Sequence, residues 1–344
     1  IVLLSMNKLI FKIHFKNITI KANEFPLSFL YASVLLQMVL VLLQILMLGE
    51  NFPLYQLLTG DFALANETKK MLLTSEVKSV NNITLLGYWA KYIFYFVPLL
   101  SLFYYNVLTG FKFRYIFYIS TFLSVFFFLT EGHKAAPFLF LLTLWLFSIY
   151  LKGFRLSFRS ILISIFLVFS LFYLYVVSFG YQNALNYALQ KFMERLFIGQ
   201  SIGFYYILEY INPDIKYLSS MLPLASIFFQ NTHRAVEDIV QIVYGYGTNT
   251  VNMNTFFLAE AYSLFGYYGI IIFTIYFCIF IYFMMLFLMR LSRKSPVFFL
   301  PLTFTIFAHM PINQSLTYFL MPKELISISI CFFLLFVFYR QLIN

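Results

Sequence analysis

Eight apolar stretches, residues 27–48, 88–108, 115–130, 137–151, 161–179, 257–289, 297–309 and 325–339, divide this chain of 344 residues and limit what it can become. A helix rises ~1.5 Å per residue and the hydrocarbon layer of a bilayer is ~30 Å thick, so ~20 mainly apolar residues suffice to cross it. The fourth and seventh stretches are short for that task. The sixth is long, which predicts a tilted span or one that continues beyond the bilayer. Composition agrees, with 62% hydrophobic, 22% aromatic and only 10% charged residues. An ordinary soluble domain is about 25% charged, and 47 Phe with 27 Tyr are too apolar for a disordered chain. The expected fold is all-α: a polytopic membrane helical bundle of about eight spans, forming a single integral membrane domain over residues 1–344. The sequence opens at Ile1 on an apolar scrap, residues 1–4, so a further upstream span is expected.

The net charge of +10 is distributed unevenly along this pattern. The segment before the first span carries Lys8, Lys12, Lys16 and Lys21 with Glu24. Every second connection after it is basic: Lys112 and Arg114; Lys152, Arg155 and Arg159; Arg290, Arg293 and Lys294; then Arg340. That side sums to +12 and the other to −2. Such asymmetry is the positive-inside pattern, and it places both termini in the cytoplasm. The charge therefore reads as topology, and no nucleic-acid partner is needed to explain it.

The cytoplasmic connections are short and hold no phosphate-cradling glycine loop. Two long segments, residues 49–87 and 180–255, face the other way, so any chemistry is expected on the outside. Cys278 and Cys331 lie in apolar runs and form neither a disulfide framework nor a metal-ligand spacing. Asn66 and Asn82 stand in outward Asn-x-Thr sequons, which carry no information in a bacterial protein.

The larger outer loop is too long to be a plain connection. Leu189, Phe192, Met193, Leu196 and Phe197 follow helical spacing with Lys191, Glu194 and Arg195 on other faces, which predicts an amphipathic helix on the membrane surface. Residues 221–229, interrupted by Pro223, read as an interfacial or re-entrant piece. Asn231 or Thr232 is expected to cap a short helix that holds His233, Arg234, Glu237 and Asp238 and ends near Gly245. A glycine and asparagine strip, including Asn252 and Asn254, then leads into the sixth span. There Ala259, Ser263 and Gly266 make a small-residue stripe suited to close helix approach. Glu260 lies within the first two turns, where an acid is costly unless it is paired or lines an aqueous cavity.

These features resemble the O-antigen (oligosaccharide repeat-unit) polymerases, the Wzy-type membrane glycosyltransferases of bacteria. The resemblance is carried by the large outward loop with Arg195 and Arg234, the stretch from Asn252 to Gly269 with its Phe-Leu-Ala-Glu-Ala-Tyr-Ser-Leu-Phe-Gly core, and the outward hairpin Glu131-Gly132-His133-Lys134. It implies transfer of a glycan from an undecaprenyl-diphosphate carrier onto a sugar hydroxyl of another lipid-linked repeat unit, on the outer face of the inner membrane. It implies no cofactor, and a chain-length regulator protein as an accessory partner. A diphosphate leaving group needs cations, for which arginine's planar fork is suited, so Arg195 and Arg234 are the expected catalytic arginines with Lys134 as auxiliary. The acceptor hydroxyl needs a base, for which Glu260 leads and His309 is second; His233, Asn252, Asn254 and Tyr262 are expected to contact substrate. Each has a structural reading beside the functional one. Arg195 also fits lipid headgroups, Arg234 an ion pair with Glu237 or Asp238, Glu260 a carboxylate neutralised for insertion, and His309 a packed interfacial ring. An O-antigen ligase stands as an alternative activity, and a lipid-linked oligosaccharide flippase or other transporter as a different class.

Overall fold

Long apolar runs without partner strands can satisfy their backbone only internally, as helices. Helices are the only regular elements among the described residues, in the order α1 (Leu27–Leu48), α2 (Pro53–Leu58), α3 (Phe62–Leu73), α4 (Thr84–Leu108), α5 (Phe111–Thr130), α6 (Ala135–Leu151), α7 (Ile202–Tyr210), a 3-10 helix (Ile215–Ser220), α8 (Ala235–Tyr244), α9 (Phe256–Lys294), α10 (Pro296–Ala308) and α11 (Lys323–Ile343). This computed structural model describes residues 26–73, 78–80, 83–108, 111–130, 135–153, 202–220, 234–245, 256–309 and 323–343, with 158, 161, 162, 165 and 166. Five helices, α1, α4, α5, α9 and α11, are long and apolar enough to cross a membrane. The stretches at 137–151 and 297–309 become α6 and α10, whose 17 and 13 residues fall below the ~20 that a crossing needs. The fifth stretch, 161–179, lies almost wholly outside the described residues.

The chain divides into two compact units, one of residues 1–182, 287–309 and 327–344, the other of residues 183–286 and 310–326. In the first, α4 is the centre: every residue from Tyr92 to Tyr104 is buried. Its rings meet four other helices, Phe94 stacking on Phe127 of α5 at 4.0 Å, Tyr95 meeting Phe140 of α6 at 5.2 Å, and Phe96 meeting Phe298 of α10 and Phe332 of α11, each at 5.1 Å. The Trp89 indole N–H reaches the Ser327 carbonyl of α11 at 3.2 Å.

Pro98 interrupts α4 in the middle of this buried stretch. A proline has no N–H, so the carbonyl four residues earlier, that of Phe94, loses its helical partner where no water can replace it. The Ser124 hydroxyl of α5 donates to that carbonyl at 2.7 Å. Gln37 of α1 donates its side-chain N–H to the Ser124 oxygen at 3.0 Å, which ties a third helix to the same point. One heptad further along α1, Gln44 donates to Thr130 at 3.3 Å and accepts the Val80 backbone N–H at 2.7 Å. Ser79 and Val80 are fully buried, so a piece of the segment 49–87 is part of the interior of this unit.

The second unit corrects the expectation of an uninterrupted sixth span. Helix α9 breaks at Phe265 (φ −136°, ψ 18°) and Gly266 (φ 61°, ψ −144°). In a straight helix Phe257 and Phe277 would stand ~30 Å apart, yet their ring centroids are 4.7 Å apart. The chain therefore doubles back into a helical hairpin with a short arm, residues 256–264, and a long arm, residues 267–294. Gly266 supplies the positive φ of the reversal. At Gly269 a Cβ would overlap the Ala261 carbonyl oxygen and lie 2.9 Å from its carbon. The pattern that reads as a small-residue stripe thus serves a turn: Ala259 and Ser263 are buried, while Gly266 makes the bend. The reversal strips carbonyls at the end of the short arm of their helical donors. The Asp214 N–H takes that of Ser263 at 2.8 Å, and the Ser263 hydroxyl donates to the Glu260 carbonyl at 2.8 Å.

Ser124→Ala leaves the Phe94 carbonyl unsatisfied and is expected to cost about 1 kcal/mol, within the range for hydrogen bonds between membrane helices. In a Pro98→Ala background, where the helix can supply its own donor, the same substitution should cost much less. Unfolding of the four proteins in detergent measures this coupling, and equal costs in both backgrounds would remove the role assigned to Ser124.

Candidate functional site

Helix α8 is amphipathic, with Ala235, Ile239 and Val240 buried and Glu237, Gln241 and Ile242 exposed. Its apolar face packs against Ile207 and Ile211, at the end of α7, in the cluster that also contains Ala259 and Ala261. Glu260 stands between those two alanines and Arg234 immediately precedes Ala235, so one apolar core supports both groups. The helix starts later than the sequence suggests. Arg234, with extended backbone (φ −118°, ψ 123°), occupies the N-cap in place of Asn231 or Thr232, and its side chain caps nothing. Glu237 and Asp238 lie in the first turn, where the positive end of the helix dipole favours acids.

The Arg234 guanidinium faces Glu237 at 3.5 Å, and the two side chains are 62% and 60% exposed. An ion pair in water contributes about 0 to 1 kcal/mol and exchanges readily for another anion. Asp238 turns inward and accepts the Tyr217 hydroxyl at 3.0 Å. Burial first, and this carboxylate second, push the Tyr217 phenol above its ordinary pKa. Asp214 accepts the Lys216 backbone N–H at 3.0 Å and meets its ammonium at 4.0 Å. The segment 211–220 thus ties α8, through Tyr217, to the hairpin, through the backbone of Asp214.

Glu260, on the short arm, is only 8% exposed. Tyr262, two residues on, is half-buried with its ring 5.4 Å from that of Tyr267 across the reversal. Arg195, Lys134, His233, Asn252 and Asn254 lie outside the described residues.

His309 belongs to the first unit and follows the last turn of α10. Its ring lies between Tyr92 at 4.4 Å and Tyr95 at 4.0 Å, and it hydrogen-bonds the Lys91 backbone. Its Nε2 is buried with no hydrogen-bond partner among the described residues. This is the packed aromatic environment of the structural reading, with one ring nitrogen left open.

Sequence reading missed Asp214, Tyr217 and the tyrosine pair around His309. The Asn-Pro-Asp turn at 212–214 was the available signal for the first, because Pro and Asp favour a tight turn before a helix. Tyr92 and Tyr95 gave none, being two of many aromatics in an apolar run. No known protein family, curated protein or solved structure matches the chain.

Tyr217→Phe should cost about 1 kcal/mol near neutral pH through loss of the bond to Asp238. The raised Tyr217 pKa means that the folded protein holds the neutral phenol, so its contribution is complete below ~10, the unfolded value, and is lost as pH rises towards the folded value. The gap between wild type and variant should therefore narrow above pH ~10. Parallel unfolding series at neutral and alkaline pH check this, and a gap that widens with pH would contradict it.

Proposed function

We propose that this chain is a membrane glycosyltransferase that polymerises lipid-diphosphate-linked oligosaccharide repeat units on the outer face of the bacterial inner membrane. The observation that carries the reading is a buried carboxylate, Glu260, and an exposed cation, Arg234, on one apolar core, in the segment that the charge asymmetry turns outward. The split of +12 against −2 supports an eight-span arrangement with cytoplasmic termini. The five crossing-length helices agree with a membrane location.

In the proposed reaction a hydroxyl of the acceptor sugar attacks the anomeric carbon of the donor. The new glycosidic C–O bond forms as the bond from that carbon to the diphosphate oxygen breaks. The hydroxyl proton passes to Glu260, and the electron pair of the broken bond leaves with the polyprenyl diphosphate. Arg234 gives up its weak surface pairing with Glu237 to meet the growing charge, and Arg195 and Lys134 assist. A fixed cation that strengthens its hold as charge develops lowers the barrier, whereas equal binding before and during reaction does not. Energy comes from the activated carrier, so the outer face needs no nucleotide.

Glu260→Gln should lower polymer formation by roughly 10²-fold or more, the usual worth of a general base. Arg234→Ala and Arg195→Ala should abolish or shorten the polymer while leaving membrane insertion intact. Gel analysis of surface polysaccharide, with each variant as the sole copy, reads the result. Normal ladders in both arginine variants would sink the leaving-group assignment. Loss of function leaving a single-repeat cap marks a polymerase, whereas bare core marks a ligase.

A further inference from the structure

The hairpin of α9 can be set against the bilayer by its own side chains. The most apolar stretch of the helix is wholly unburied, and Ile271, Ile272, Ile275, Ile279, Phe283 and Phe287 are exposed in succession. Large apolar side chains in such a row are at home in lipid and costly in water. The long arm closes on Arg290, Arg293 and Lys294, which mark one interface. Counting back ~30 Å of hydrocarbon at ~1.5 Å per residue reaches the neighbourhood of Ile270. Just before it stand Tyr267 and Tyr268, 70% and 78% exposed, the residue type that collects at headgroup level. The reversal at Gly266 therefore sits at the opposite interface.

The short arm does not rise from that point into water. Phe257 meets Phe277 and the Ala261 carbonyl lies under Gly269, so residues 257–261 run beside residues 269–277. Those levels are within the first ~10 Å of hydrocarbon. We propose that residues 256–264 form a re-entrant half-helix, lying in the leaflet away from Arg290 and leaving by that same face, and that Glu260 works below the headgroup boundary on an amphiphile. The capping of Ser263 by Asp214 and the burial of Ala259 and Ala261 by α7 and α8 give the arm the protein cover that a broken helix needs at this depth. The depth assignment stands on the hairpin geometry and on the side chains that set the long arm against the bilayer, independently of the proposed function. The identity of the amphiphile, a lipid-linked saccharide whose sugars reach down to the carboxylate, rests on the function proposed above.

Nitroxide labels test the placement in the full chain, with Cys278→Ser and Cys331→Ser, reconstituted in phospholipid vesicles. Single labels go at Leu258→Cys, Tyr268→Cys, Ile275→Cys and Ile279→Cys, and depth is read from relaxation by oxygen against a water-soluble nickel chelate. Tyr268 should be the shallowest and Ile279 the deepest, with Leu258 and Ile275 matched between them. A doubly labelled 258/275 protein should show strong dipolar broadening, since the sites are neighbours in the hairpin and would be ~25 Å apart in a straight helix. A Leu258 label relaxed by nickel as fully as one in bulk water overturns the proposal, and so does absence of broadening. If the depths hold while Glu260→Gln still makes full-length polymer, the placement stands and the function fails.

Discussion

A carbonyl that no water can reach governs the larger unit. Helix α4 is enclosed by its neighbours, and Pro98 removes a donor in the middle of that enclosure. In a soluble helix such a gap is filled by solvent; inside an apolar bundle the donor must come from protein. Ser124 supplies it, and Gln37 holds Ser124. The register of α1 and α5 against α4 is consequently fixed at one point, because sliding α5 by a turn would leave a bare carbonyl among aromatic rings and sliding α1 would leave the buried Gln37 amide without its acceptor. Ring packing around Phe94, Tyr95 and Phe96 fills the space, and the hydrogen bonds select which filling is allowed.

The second unit uses the same economy differently. Its reversal also exposes carbonyls, and a backbone N–H from a neighbouring turn, that of Asp214, answers one of them. Two glycines make the geometry possible, one by its dihedral angles and one by its absent side chain. The result is a nine-residue arm, tied down at its end, on which Glu260 is buried. For the proton acceptor proposed at Glu260, such support would set its reach to a bound hydroxyl before substrate arrives.

Much of the fold was legible because hydrophobicity and helix length are linked so tightly in a bilayer. Residues 27–48 were read from the sequence with the bounds that α1 has, and the end of α8 at Gly245 follows from a glycine beyond the last apolar residue. The hairpin was not legible, because an apolar run gives the same hydropathy whether the chain continues or turns back. Gly266 and Gly269 were the visible clue, and small-residue spacing has two physical uses that periodicity does not separate. The polar ties were missed for another reason: Gln37 and Gln44 are two neutral residues in a long apolar helix, and only their heptad spacing hints that they share a face. At the site, the pairing of Arg234 with Glu237 was one of two readings open from spacing, whereas the inward turn of Asp238 depends on Tyr217, which is distant in sequence.

The burial of Ser79 and Val80 also has a consequence for the order in which the molecule assembles. The Val80 N–H is received by Gln44, and the other end of that amide is held by Thr130. Gln44 is synthesised before Val80, but Thr130 emerges about 50 residues after it, a matter of several seconds at ordinary translation rates. Until then the receptor for the segment lacks one of its supports. The seating of residues 79–80 on Gln44 is therefore complete in its contacts only after α5 has been made, so it depends on a helix that follows it in the chain.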